Sequence, residues 1–250
     1  MRLLTFNIRF GAGGDQLEKP GYDLPITSAK LAALTAAIDS LQPDVVALQE
    51  VYNARQAERI SRQLAMRFVY GRHPSGYALD FFEWGLALLH RHEVIGTTQH
   101  PLTFDPDLRS GRHALIVTLL IENIPVTFIN VHLAFENLQG QVAELLSVAD
   151  EIEHPLAILG DFNCPPDDGR LEPLQSRLHD TCREIASEGA REEETVGTLL
   201  HSSRRFDYVF VDPRHFIVED VGLPAEIHRR VSDHLAYFTD VRLKNTAGKG

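Results

Sequence analysis

The sequence predicts an α/β or α+β fold in which two packed β-sheets are flanked by helices. Helix-like and strand-like apolar periods alternate from end to end of the 250 residues. Helical segments fall between strands in both halves of the chain, and further strand pairs occupy the middle. A hydrophobic content of 44% is enough for the large core that such a sandwich needs. The pattern predicts the layers and leaves the order of the strands open.

The first 65 residues contain two predicted strand–helix pairs. Apolar runs of β-branched and aliphatic residues predict the strands, and a 3.6-residue apolar period predicts the helices. Thr27 or Ser28 is the predicted N-cap of the first helix. The predicted elements are the strand 2–8, the helix 27–42, the strand 45–51 and the helix 54–65.

The rest of the chain is richer in strands. Residues 122–125 predict a hairpin connection between two of them. Residues 167–200 are the least patterned segment, and their acidic run at 191–195 is most simply a solvated loop. The predicted elements are the strands 84–90, 94–102, 113–121, 126–133, 156–160, 205–211, 216–223 and 234–243, and the helix 138–152.

Charge and composition exclude several classes of protein. Asp and Glu (35) outnumber Lys and Arg (24), and the formal charge of −11 argues against a protein that coats nucleic acid non-specifically. No run of about 18 apolar residues occurs, so no membrane span is predicted. Only Cys164 and Cys182 could form a disulfide. The N-terminal residues lack the features of a signal segment, so we expect a cytoplasmic, reducing setting.

Polar side chains stand at or near the ends of several predicted strands, where loops held by a sheet commonly carry functional groups. Taken singly, each has an ordinary explanation as a turn, cap or rim residue. Together they are rich in oxygen ligands, include two histidines and contain no thiolate pair, which suits Mg²⁺ or Mn²⁺ better than structural zinc. The residues are Asn7, Glu50, His132, Asp161, Asn163, Asp207, Asp233 and His234.

Such a set of side chains is suited to phosphoester hydrolysis. A metal ion held by carboxylates polarises a phosphoryl oxygen, and an aspartate can accept the proton of an attacking water. A histidine oriented by a second carboxylate can stabilise the charge that develops on the phosphate.

Six short motifs occur in an order that resembles the endonuclease/exonuclease/phosphatase family, the group around DNase I. They are TFN (5–7), LQE (48–50), NVHL (130–133), GDFN (160–163), DYVF (207–210) and SDH (232–234). GDFN after an apolar strand, together with SDH, is the most specific pair. The resemblance implies a four-layer αββα sandwich with its active site at one end of the two sheets, and one catalytic domain over residues 1–250.

The resemblance also implies a role for each side chain. Asn7, Glu50 and Asp233 correspond to metal-site residues, with Glu50 the principal ligand. Asp161 corresponds to the residue that activates or aligns the attacking water. Asn163 corresponds to a donor to the scissile phosphate.

The two histidines also have counterparts in the family. His234 corresponds to the catalytic histidine, and Asp207 to the carboxylate that orients it. His132 matches the second histidine of the DNase I and sphingomyelinase branches. The exonuclease III branch usually has a tyrosine there, which argues against a dedicated abasic-site repair enzyme.

Three further matches rest on less specific motifs. FNIR and GRHALIV resemble segments that contact phosphate, which nominates Arg9 and Arg112; a surface arginine is the alternative for both. EWGLALL resembles the segment in which a glutamate pairs with the second histidine, so Glu83 is expected to orient His132. The alternative for Glu83 is a solvent-facing residue of a half-buried strand.

Two features that lie beside the motifs admit both a structural and a functional interpretation. Trp84 and the pair Phe81-Phe82 could form a substrate rim, but a core position is expected for at least two of the three. Cys164 directly follows GDFN, and no nearby residue forms a Cys–His pair with it in the sequence. We therefore expect a packed residue and not a nucleophile.

The sequence therefore predicts a phosphoester hydrolase that depends on Mg²⁺ or Mn²⁺, most simply a phosphodiesterase that is nuclease-like or acts on a small phosphodiester. A sphingomyelinase-like or inositol-phosphatase-like hydrolase is the alternative. An inactive binding module is disfavoured because every catalytic position is filled. The partner is a phosphodiester, with nucleic acid among the candidates, and no protein partner is implied. The arginines near the motifs could form a small basic patch: Arg9, Arg109, Arg112, Arg204, Arg205, Arg229 and Arg230.

Overall fold

The computed structural model describes residues 1–12, 27–74, 83–105, 110–187, 198, 204–223 and 231–244. Within these ranges the strands form two six-stranded mixed sheets. Among the same residues, no helix has the length and apolarity needed to cross a membrane. Phe81, Phe82, Arg109, Arg229, Arg230 and the acidic run 191–195 lie outside the described residues.

The first sheet has the strand order β11-β12-β1-β2-β4-β3. Its central strands β1 and β2 run parallel, and the other described neighbours run antiparallel. The strands are β1 (Arg2–Asn7), β2 (Val45–Val51), β3 (Arg67–Arg72), β4 (Gly85–His90), β11 (Phe216–Gly222) and β12 (Tyr237–Leu243).

The second sheet has the order β5-β6-β7-β8-β10-β9 and is built on the same plan. Here β7 and β8 are the parallel pair at the centre, and the remaining described neighbours are antiparallel. The strands are β5 (Glu93–Asp105), β6 (Ser110–Ile121), β7 (Ile124–His132), β8 (Leu156–Asp161), β9 (His179–Asp180) and β10 (Asp207–Val211).

The two sheets pack face to face, and helices cover both outer surfaces. Buried side chains such as Leu88 and Leu159 fill the space between the sheets. Leu34 of α1 and Ile60 of α2 pack on the outer face of the first sheet, and Leu145 of α3 packs on that of the second. The four-layer αββα sandwich is confirmed. The helices are α1 (Ser28–Asp39), α2 (Ala54–Gln63), α3 (Leu138–Asp150), α4 (Glu172–Arg177) and α5 (Thr181–Ser187).

Local sequence signals place several boundaries correctly. Thr27 caps α1, because its Oγ1 accepts a hydrogen bond from Lys30 N at 3.2 Å. Glu122 and Asn123 have φ values of 51° and 64°, the left-handed conformation required by a two-residue hairpin turn between β6 and β7.

Two parts of the fold differ from the prediction. The sequence does not predict β3, whose side chains are mostly half-buried or exposed and so lack an apolar alternation. Residues 172–187, within the least patterned segment, form α4, β9 and α5. These elements have six, two and seven residues, too few for a hydrophobic period to be recognised.

A buried polar contact joins the two sheets. Gln49 Nε2 on β2 donates to Asn130 Oδ1 on β7 at 2.8 Å. Asn130 Nδ2 in turn donates to the carbonyls of Leu48 at 3.0 Å and Ala87 at 2.9 Å. Because every partner is buried, this network fixes how the strands of one sheet stand against those of the other.

Gly160, at the end of β8, lies against the neighbouring strand with a φ of +155°. A Cβ atom there would lie 2.1 Å from the carbonyl oxygen of Val131. Gly160→Ala is therefore expected to lower the free energy of unfolding by about 2–4 kcal/mol, measured by urea denaturation. The control is Gly169→Ala, where an added Cβ meets nothing within 4 Å and the change should stay within about 0.5 kcal/mol. Equal stability of the two variants would contradict this prediction.

Candidate active site

Three neighbouring strands of the second sheet place three of the predicted residues side by side. His132 ends β7 and stands opposite Asp161 at the end of the parallel strand β8. Asp207 begins β10 and stands opposite Asp161 from the antiparallel side. Asp161 and Asp207 are 1% and 0% exposed, so these carboxylates meet in a nearly dry environment.

The first sheet contributes Asn7 and Glu50 at the ends of its own parallel pair. Glu50 has a φ of 52°, at an irregularity in the pairing of β2 with β4, so its backbone departs from the regular strand. Asn7 Nδ2 donates to Glu50 Oε1 at 3.2 Å and to Asp161 Oδ2 at 3.0 Å. This amide therefore connects the carboxylates of the two sheets.

The segment before β12 completes the group. Ser232 Oγ donates to the Asn7 carbonyl at 2.7 Å and accepts from His234 N at 3.2 Å, which anchors the segment to β1. His234 Nδ1 lies 2.8 Å from Asp207 Oδ2, and its Nε2 lies 3.7 Å from Asp161 Oδ2. The SDH motif thus reaches the same site as the strand ends.

The surroundings set the charges of these groups. Burial raises the pKa of Asp161 and of Glu50 above the usual carboxyl values. Burial alone would lower the pKa of His234, but the charges of Asp207 and Asp161 outweigh it and raise that pKa to about 10. Burial, with the Arg112 charge, lowers the pKa of His132 well below its usual value. At neutral pH His234 is therefore cationic and His132 is neutral.

The donor set fits a hard divalent cation. Asn7, Glu50 and Asp233 offer carboxylate and amide oxygens, the ligands that Mg²⁺ and Mn²⁺ prefer. The raised pKa of the partly buried Glu50 carboxyl indicates a group that a cation would stabilise in its charged form. Asp161, Asp207 and His234 also offer ligand atoms within 4.8 Å of one another. That trio fits a metal less well, because the His234 proton already occupies the contact with Asp207.

Asn163 follows Asp161 in a left-handed conformation, with a φ of 52°. Its backbone N donates to Asp161 Oδ1 at 2.9 Å, and its Nδ2 donates to the Leu133 carbonyl at 2.9 Å. The side chain thereby joins the loops that follow β7 and β8. An amide nitrogen has two hydrogens, so the second is available to a ligand.

The two nominated arginines contact different residues of the site and its edge. Arg9 Nε is 3.5 Å from Asp233 Oδ2, which brings Arg9 to the predicted metal residues. The guanidinium of Arg112 stacks on the Trp84 ring, 4.4 Å from its centroid. Trp84 in turn contacts the His132 ring, at 5.6 Å between centroids.

The expected pairing of Glu83 with His132 is wrong. Glu83 Oε1 accepts a hydrogen bond from the Tyr70 hydroxyl at 3.3 Å, and among the described residues His132 Nδ1 has no hydrogen-bond partner. Trp84 occupies the position beside His132 instead. It is 1% exposed and so belongs to the core, not to a substrate rim.

Two further expectations are resolved by burial. Arg205 does not belong to a surface patch, because it is 2% exposed and forms an ion pair with Asp180 at 2.7 Å. Cys164 is fully buried, and burial raises the pKa of its thiol to about 12, so it is a packed residue as expected. Sequence reasoning considered Trp84 only as a rim or core residue and gave Ser232 no role. The signals for both were their positions, directly beside Glu83 and inside SDH.

Comparisons with known proteins identify the family of the chain and its fold. The model of the Endonuclease/Exonuclease/phosphatase family matches residues 4–234, a span that contains all the predicted site residues. No curated protein matches the sequence.

Several solved structures share the fold. An endonuclease/exonuclease/phosphatase from Beutenbergia cavernae DSM 12333 is 23% identical, with a TM-score of 0.79 over 97% of this chain and 71% of that chain. The human Nocturnin catalytic domain with bound sulfate is 20% identical, with a TM-score of 0.76 over 98% and 93%. A mannosyl-6-phosphatase from Bacteroides thetaiotaomicron is 17% identical, with a TM-score of 0.71 over 97% and 99%. Both the sequence match and the shared fold lead to one conclusion: this chain belongs to the endonuclease/exonuclease/phosphatase family.

Proposed function

We propose that the chain is a divalent-metal-dependent phosphodiesterase, either nuclease-like or specific for a small phosphodiester. Members of its family are phosphoester hydrolases and generally use divalent metals. The observation that carries the proposal is the surroundings of one oxygen, Asp161 Oδ2. Asn7 Nδ2 lies 3.0 Å from it, His132 Nε2 3.5 Å and His234 Nε2 3.7 Å. A carboxylate oxygen among these donors is placed to align a water and accept its proton.

In this proposal Asn7, Glu50 and Asp233 would hold Mg²⁺ or Mn²⁺. When bound, the ion would polarise a phosphoryl oxygen and balance the charge of the phosphate. Arg9, beside Asp233, contacts the phosphate at the same edge of the site.

The remaining residues act on the phosphate and on the water. Asp207 accepts a hydrogen bond from His234 Nδ1 and so orients the cationic imidazole. The Nε2–H of His234 then points toward Asp161, and we propose that it donates to a phosphoryl oxygen bound there. Asn163 donates its second amide hydrogen to the same phosphate. His132, being neutral, acts as a hydrogen-bond donor and carries no charge to the site.

We extend the proposal to the whole of residues 1–250 as one catalytic domain. The support is that the candidate site takes side chains from β1 near one end of the chain and from the segment before β12 near the other. Neither half of the chain contains a complete site.

A substrate panel tests the proposed function. The protein is assayed with Mg²⁺, Mn²⁺ or EDTA against bis-p-nitrophenyl phosphate, p-nitrophenyl phosphate, single- and double-stranded DNA, RNA, sphingomyelin and inositol phosphates. We expect metal-dependent cleavage of at least one diester. Binding that falls steeply with salt would identify a nucleic-acid substrate. Cleavage of monoesters alone would favour the phosphatase alternative, and no cleavage of any compound would refute the proposal.

Glu50→Ala tests the metal site. The affinity of the variant for Mg²⁺, measured by titration calorimetry, should fall by more than about 100-fold. Even groups that only support a metal ligand contribute about 10- to 100-fold to metal affinity. Hydrolysis of the panel's best substrate should be lost with it. The matched control is Glu58→Ala on α2, which removes an exposed partner of Arg62 and should change neither quantity. Wild-type Mg²⁺ affinity in Glu50→Ala would contradict the assignment.

A further inference from the structure

Trp84 contacts three charged or titratable side chains at the edge of the candidate site. It is the only tryptophan of the 250 residues. The guanidinium of Arg112 lies over its ring at 4.4 Å, and the ring of His132 meets it edge-on at 5.6 Å and 82°. The ring of His73 lies 4.4 Å away on a tilted plane. One indole therefore contacts both the nominated phosphate-binding arginine and the second histidine.

The backbone holds Trp84 in place. It directly precedes β4, and its carbonyl accepts a hydrogen bond from His73 N at 3.0 Å, which continues the β3–β4 ladder. Gly71 on β3 leaves room for the next ring of the cluster, since a Cβ there would lie 2.4 Å from His113 Nε2. His113 packs against His73 at 4.7 Å between ring centroids. The indole thus packs against one buried imidazole, His73, which in turn packs against a second, His113.

These supporting rings are uncharged. Burial lowers the pKa of His73 well below its usual value and that of His113 to about 4. Among the described residues, the ring nitrogens of both histidines have no hydrogen-bond partner. Because both rings are neutral, they add no positive charge that would compete with Arg112 for an anion.

We propose that Trp84 is a positioning residue, which holds Arg112 and His132 in the orientation that binds the substrate phosphate. This inference rests on the proposed function. An arginine side chain loses rotamer freedom when it binds a phosphate, and a stacked indole orders it beforehand. Among the described residues His132 Nδ1 has no hydrogen-bond partner, so the edge contact with Trp84 orients the ring instead.

Tryptophan fluorescence provides a test that needs no turnover. The emission of the wild-type protein reports only Trp84, so titration with inorganic phosphate should give a saturable change when phosphate reaches Arg112. Arg112→Met should abolish that change, because the thioether can fill the space beside the indole without binding an anion. An identical response in Arg112→Met, or no response in the wild type, would overturn the proposal.

Kinetics of two Trp84 variants provide the second test. With bis-p-nitrophenyl phosphate and Mg²⁺, Trp84→Leu should raise KM by about 10-fold. Trp84→Phe keeps an aromatic face, so its KM should stay within about 3-fold of the wild-type value. The control is Phe216→Leu, a buried aromatic at the opposite end of the first sheet, which should lose stability without a change in KM. An unchanged KM in Trp84→Leu, or an equal rise in Phe216→Leu, would refute the positioning role. If the wild type hydrolyses nothing, the proposed function fails, and the phosphate titration still decides whether Arg112, stacked on Trp84, binds phosphate as the positioning role requires.

Discussion

Asp161→Asn is expected to lower kcat by about 10²- to 10⁴-fold, the contribution of a positioned general base. The substitution keeps the size and shape of the side chain, so Asn163 N can still donate to its oxygen. It removes the charge that would accept the proton of the attacking water. The measurement is steady-state hydrolysis of the best diester with Mg²⁺. A kcat within a few-fold of the wild type would exclude Asp161 from the chemistry.

The same substitution should make the protein more stable in the absence of metal. Burial raises the pKa of Asp161, so its ionised form is disfavoured in the folded state. The penalty is small at about pH 4, where the carboxyl is protonated in the folded state and about half protonated in the unfolded state, and it grows as the pH rises. In EDTA at pH 8 we expect Asp161→Asn to raise the free energy of unfolding by about 1–3 kcal/mol. At pH 4 the wild type and Asp161→Asn should have nearly equal free energies of unfolding. A lower free energy of unfolding for Asp161→Asn at pH 8 would contradict this account.

Asp180→Asn is expected to have the opposite effect, a loss of about 3 kcal/mol or more in the free energy of unfolding. Asp180 accepts hydrogen bonds from Arg205 at 2.9 and 2.7 Å, and both side chains are almost fully buried. The amide removes the negative charge that faces the buried guanidinium in this pair. Urea denaturation of the wild type and the variant measures the difference.

Two controls separate the pair from its neighbours. Asp150→Asn weakens an ion pair with Arg177 in which the Asp150 side chain is 67% exposed, and it should cost about 1 kcal/mol or less. The folded Asp180→Asn protein should keep its kcat, since Asp180 lies outside the candidate site. A cost as small as that of Asp150→Asn would show that burial does not strengthen the Asp180–Arg205 pair.

Much of the fold follows from the local pattern of residues. Apolar periods predict α1, α2 and α3 and most of the strands. Several of the polar residues predicted at strand ends lie close together in the structure. Asp161, His132 and Asp207 become neighbours because they stand at matching positions of β7, β8 and β10. The short elements β3, α4, β9 and α5 carry too few or too weakly apolar residues for a period to be seen. The chemical roles of the site residues remain predictions until the variants are measured.

The residue types at the end of each element could be predicted from the sequence, because helix periods, turns and caps depend on neighbours along the chain. Which of two adjacent residues meets His132 depends instead on the tertiary structure. Successive side chains of an extended segment point to opposite sides, so Trp84 reaches His132 while Glu83 meets Tyr70. The tertiary structure also placed Arg205 in a buried ion pair and joined Gln49 to Asn130. Such contacts depend on how layers pack, and that packing involves residues far apart in the chain.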